Sequence, residues 1–172
     1  MDQREKPNNK PFSKGIHAIL QLEQIRDLQK EFEVGNWFFA LGSDLKVLKM
    51  STKNFLNLEK LESHLPKVSQ SDLRVLNWAL KPTMLVLIHP RFLEHPCEGV
   101  RLTVASCLSE IIRITSPMLP YNDDIMRKVF QLIEENLQDL HNIWGLVIGK
   151  RMKILEIMAV VMGNNDDIRR ML

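Results

Sequence analysis

EGVRLTVASCLSEIIRIT, residues 98–115, decides the fold. Val100, Val104, Leu108, Ile111 and Ile112 recur at steps that put them on one face of a helix. Ala105, Cys107 and Ile114 widen that face. The next stretch, SPMLPYNDD (116–124), stops the helix and starts another. Pro117 and Pro120 cannot continue a helix, because proline lacks the N–H and crowds the preceding turn. Asn122 or Asp123 then caps a helix expected to run through Leu140, with Ile125, Val129, Leu132, Ile133 and Leu137 along its stripe. Asp123 and Asp124 stand where the helix dipole favours negative charge.

The same periodicity extends both ways. Ser51 is placed to cap a helix with Phe55, Leu58, Leu61 and Leu65 on one stripe, and Pro66 marks its end. Ser71 is placed to cap the next, with Leu73, Leu76 and Leu80 inward. Pro82 sits inside that pattern and either kinks the helix or splits it before TMLVLIHPRFL. Pro90, Pro96 and Gly99 punctuate the following segment. Downstream, a helix over 147–162 is apolar almost all round. Such a helix is expected to be heavily buried between neighbours, with Gly163 as its C-terminal cap.

No alternating strand pattern competes with these assignments, so the fold class is all-α. Residues 1–14 read as a disordered polar tail, residues 15–50 as a helical extension and residues 51–172 as HEAT-like helical repeats. A helix pair every ~40–50 residues fits HEAT or armadillo units, and an antiparallel bundle fits equally.

Composition narrows the function. The 172 residues fit one domain, and 45% are apolar, enough for a core. A net charge of +2 with 26% charged residues argues against nucleic acid as the direct partner, since phosphate binding needs a concentrated basic face. The first ten residues lack the apolar stretch of a signal peptide, and no run approaches the ~20 residues of a membrane span. Cys97 and Cys107 form no disulfide framework, so a soluble intracellular protein is expected. Cys107, on the apolar helix, reads as a core residue.

His89, His95 and Cys97 form the one cluster that invites a metal, but a fourth ligand and helical spacing are missing. No nucleophile elbow, zinc-protease motif or phosphate loop occurs, and seven glycines are few for a cofactor cradle. The expectation is no enzyme, no cofactor, no metal and no small-molecule ligand. Lys150, Arg151 and Lys153, like Arg169 and Arg170, read as a solvated helix face rather than an import signal. Pro117-Met118-Leu119-Pro120 matches P-x-x-P, which proline-binding grooves read, but one copy between two helices serves equally as a joint.

Over a longer span, VRLTVASCLSEIIRITSPMLPYNDDIMRKVFQLI (100–133) resembles the N-terminal region of the precocious-dissociation-of-sisters (Pds-five) family, plant type. Val100, Arg101, Val104, Ala105, Cys107, Glu110, Ile111, Arg113 and Ile114 fill its first helix pattern. Pro117, Pro120 and Tyr121 fill its A-P-x-A-P-Y joint. Asp123, Asp124, Met126, Lys128, Phe130, Leu132 and Ile133 fill the helix after it. ALKPTMLVLIHPRFLEH (79–95) and KRMKILEIMA (150–159) are similar to flanking family segments.

The resemblance implies a right-handed α-solenoid. It also implies a nuclear, non-catalytic regulator of sister chromatid cohesion, bound to cohesin's kleisin subunit and release factor and so to chromatin indirectly. By the same resemblance, Pro117, Pro120 and Tyr121 dock short aromatic-basic peptides. Ser116 and Leu119 stand where the family has alanines, and Met118 where it usually has an acid. The alternative is a helical interaction module that has kept the fold and lost the cohesin partners.

Overall fold

The computed structural model describes residues 52–68, 73–138 and 146–171, together with Ala40. The expected tail at 1–14, nearly all of the extension at 15–50, and the caps Ser51 and Ser71 lie outside the described residues. Among those described there are helices and no strands. α1 spans Thr52–His64 and tightens into a 3-10 turn, Leu65–Lys67, that opens on Pro66. α2 spans Leu73–Leu87, α3 is the single turn Pro90–Leu93, and α4 spans Glu98–Thr115. α5 spans Asp123–Leu137, α6 Leu146–Asn164, and α7 Asp166–Met171. None of these helices is long and apolar enough to cross a membrane.

α4 is the hub: α1, α2, α3, α5 and α6 all pack on it. The periodicity anticipated one buried face, whereas almost every residue from Leu102 to Thr115 is buried. The polar residues of the helix make this possible by bonding its own backbone. Thr103 Oγ1 donates to the Gly99 carbonyl (2.9 Å), Ser109 Oγ to Ser106 (2.8 Å) and Thr115 Oγ1 to Ile111 (2.9 Å). A buried hydroxyl satisfied within its own helix carries little desolvation penalty. The side chains of Leu58, Leu61, Leu65, Leu80, Leu87, Met126 and Ile154 complete the core around Leu108, Ile111, Ile112 and Ile114.

Pro82 neither splits α2 nor ends it. A mid-helix proline costs about 3 kcal/mol, and burial of Ala79, Leu80, Thr83, Val86 and Leu87 along the same helix offsets that cost. Asn122, not Asp123, caps α5: its Oδ1 accepts from the Ile125 N–H (3.1 Å). α5 ends at Leu137, with Gln138 as its C-cap; of the helix expected through Leu140, residues 139–140 lie outside the described residues.

Three expectations about the last helix are corrected. Gly163 is not its cap; α6 runs through it to Asn164, and Asn165 makes the break. Nor is α6 heavily buried: Ile154, Ile157, Met158 and Val161 face the core, while Met152, Leu155 and Val160 are exposed on another face, and Val147 is exposed in the first turn. One stripe meets α4 and α5, and no described element covers the other. Lastly, Lys150, Arg151 and Lys153 are not a solvated face. Lys150 Nζ reaches Glu62 on α1 (2.6 Å), Arg151 reaches Glu98 (2.7 Å) and Lys153 reaches Glu110 (3.0 Å), both on α4. Arg151 is only 3% exposed.

The two cysteines differ sharply. Cys97 is exposed ahead of α4, and Cys107 is buried within it. Burial foremost, then the nearby Glu62 carboxylate, pushes the Cys107 thiol well above its ordinary range. A thiol reagent at pH 8 is expected to modify one cysteine of the native protein promptly, at Cys97. The second site reacts only in denaturant, which mass spectrometry of the labelled peptides will read.

Candidate partner-docking joint

The joint between α4 and α5 forms one wall of a groove of about 290 Å³. Met118, Leu119, Pro120 and Tyr121 line it from the joint, Thr115 from the end of α4, and Lys81, Met84 and Leu85 from α2. Its lip is apolar and open, with Met118 67% and Leu85 55% exposed.

Two hydrogen bonds fix the joint. The Tyr121 hydroxyl donates to the Met84 carbonyl (3.0 Å). That carbonyl belongs to the last turn of α2. The contact pins the groove's two walls together, and burial pushes the Tyr121 phenol far above its usual range. At the other end Asn165 Nδ2 donates to the Pro117 carbonyl (2.6 Å), while its Oδ1 accepts from the Ile168 N–H (3.4 Å). Asn165 thus caps α7 and anchors the joint. The Ser116–Pro117 peptide is cis.

Of the three residues singled out from the sequence, Pro120 and Tyr121 line the groove. Pro117 is exposed at the joint and is not among the lining residues. Sequence reasoning missed Lys81, Met84 and Leu85, since TMLVLI reads as a buried run and nothing local marks Leu85 as outward. It also missed Asn165.

His89, His95 and Cys97 have local roles. His89 Nδ1 accepts from the Arg91 N–H (3.2 Å) and caps α3; His95 Nδ1 accepts from the Cys97 N–H (3.1 Å). Among the described residues no group of three His, Cys, Asp or Glu side chains is arranged to hold a metal. The P-x-x-P segment lies in the joint itself, with Met118 N–H bonded back to the Thr115 carbonyl (3.0 Å).

The sequence model of the family described as sister chromatid cohesion protein PDS5 matches residues 55–162, which include α4, the joint and α5. The chain belongs to the PDS5 family. It is 38% identical over 120 residues to sister chromatid cohesion protein PDS5 homolog A of Arabidopsis thaliana, covering 69% of this chain and 8% of that relative. It is 38% identical over 136 residues to PDS5 homolog C of the same plant, covering 78% and 15%. PDS5 homolog B of Gallus gallus is 32% identical over 119 residues, covering 69% and 8%. The chain therefore spans a small part of the length of these relatives. No solved structure matches it.

Family membership selects between the two architectures left open by periodicity: the fold is all-α and HEAT-like, as the PDS5 resemblance implied. Several residues that carried that resemblance bear the packing. Glu110 is buried between Arg113 (2.6 Å) and Lys153 (3.0 Å), and Arg113 also donates to the Leu65 (3.3 Å) and Val68 (3.0 Å) carbonyls.

Proposed function

We propose that the chain is a non-catalytic helical scaffold acting in sister chromatid cohesion, in the nucleus, through cohesin. The curated relatives are named as sister chromatid cohesion proteins, and family membership supports carrying that role over. On this reading its partners are cohesin's kleisin subunit and the release factor, and its chromatin contact is indirect. The observation that carries a binding role is the groove. Its open apolar lip coincides with the joint whose Pro117, Pro120 and Tyr121 fit the family pattern. Leu85 and Met118 hold a partner's bulky side chain against Met84 and Tyr121, and Pro117 extends the contact outward. Exposed apolar side chains clustered at a concave site are the usual signature of such docking.

Pull-down of the full chain from nuclear extract tests this directly. Cohesin's kleisin subunit is expected in the eluate, and a Leu85→Ser/Met118→Ser double variant is expected to lose at least two-thirds of it. Both side chains are largely exposed, so the variant changes folding stability by no more than about 0.5 kcal/mol each. Equal recovery by the double variant would exclude the groove as the contact. Absence of cohesin subunits from both eluates would favour an interaction module that has lost those partners.

A further inference from the structure

We infer that the groove selects an acidic partner segment: one bulky apolar side chain with a carboxylate beside it. This deepens, and rests on, the docking role proposed above. Lys81 is the one charged side chain among the lining residues. It is exposed on α2 and has no ion pair among the described residues. The other polar side chains of the lining are committed inward, Tyr121 to the Met84 carbonyl and Thr115 to the Ile111 carbonyl. Met118, at the tip of the joint, contributes only a thioether surface, so no lining carboxylate opposes the ammonium.

An occupant therefore meets apolar surface from Met84, Leu85, Met118 and Tyr121, and a single positive charge on the α2 side. A carboxylate satisfies that charge, while a lysine or arginine placed there is repelled. The preference is the reverse of the aromatic-basic peptides that the resemblance implied, because the acid expected at position 118 is replaced by Met118.

Fluorescence anisotropy on the full chain tests the preference with three labelled hexapeptides, capped at both ends. They are identical except that the residue after a central phenylalanine is aspartate, serine or lysine. The aspartate peptide is expected to bind about five-fold tighter than the lysine peptide, the scale of one exposed ion pair. The ratio is expected to shrink as salt rises from ~50 to ~300 mM, where screening sets in. Lys81→Glu is expected to reverse the order of the aspartate and lysine peptides.

Equal affinities for the three peptides, or tighter binding of the lysine peptide, overturn the charge preference and leave docking intact. No binding by any peptide, with the Leu85→Ser/Met118→Ser variant pulling down cohesin like the parent, overturns both. An order that persists unchanged in Lys81→Glu also overturns the assignment of that charge to Lys81.

Discussion

Ile111→Ala is expected to lower the unfolding free energy by about 4 kcal/mol, near the upper part of the range for truncating a fully enclosed aliphatic side chain. Ile111 is 0% exposed on α4, the helix on which five others pack. A cavity there cannot collapse by moving one neighbour, because several helices lean on the same rod and each is tied by other contacts. Removing three carbon atoms forfeits both their transfer energy and the contacts of the surrounding side chains. Urea unfolding followed by circular dichroism measures the loss, and a fall in melting temperature of roughly 10 °C should accompany it. A loss under about 1 kcal/mol would mean that the hub is loosely packed. The control is Val160→Ala on the open stripe of α6, which is expected to cost less than about 0.5 kcal/mol.

Glu110→Ala is expected to cost about 3 kcal/mol by the same measurement, the lower end for breaking a buried pair by removing one partner. The carboxylate is enclosed, and its two oxygens serve Arg113 and Lys153 separately. Without it, the Arg113 and Lys153 cations lose their shared carboxylate. Both keep some exposure, so they turn partly to solvent, which holds the cost to the lower end. Lys153→Ala leaves the Glu110–Arg113 pair in place and is expected to cost less than about 1 kcal/mol. The inequality between the two variants is the informative result. Equal costs would mean that Arg113 contributes nothing to holding the carboxylate.

Local signals and long-range pairing account for what could be read in advance. α4 was bounded to the residue because its stripe, the glycine and acid before it and the prolines after it all agree. The start of α5 was narrowed to Asn122 or Asp123, because a cap needs only its own next three residues, and the bond to Ile125 selects Asn122. The ion pairs are another matter. Lys150 meets a carboxylate 88 positions away, and Arg151 one 53 positions away. Nothing near KRMK distinguishes a cation aimed at a distant glutamate from one aimed at water, so the cluster read as solvated.

The exposed stripe of α6 was misread for a related reason. Met152, Leu155 and Val160 are as apolar as the buried residues between them, and composition cannot say which side of an all-apolar helix receives a neighbour. The groove was half legible. Pro120 and Tyr121 stand out locally, whereas Lys81, Met84 and Leu85 arrive from a helix about thirty residues upstream, held by one phenol-to-carbonyl bond.

The cations of α6 also act as a two-way brake. Arg151 and Lys153 are neighbours but one, yet their carboxylates on α4 stand twelve residues apart, about 18 Å along that helix. A translation of α6 along the axis of α4 brings one cation closer to its carboxylate and draws the other away, whichever direction it takes. Lys150 adds a third tether, to α1, outside that line. Aliphatic side chains tolerate a slip of one turn by exchanging equivalent neighbours; opposed pairs of this kind do not. The packed stripe of α6 therefore has a single register, and its outward stripe is presented at a fixed height and angle rather than on a sliding surface.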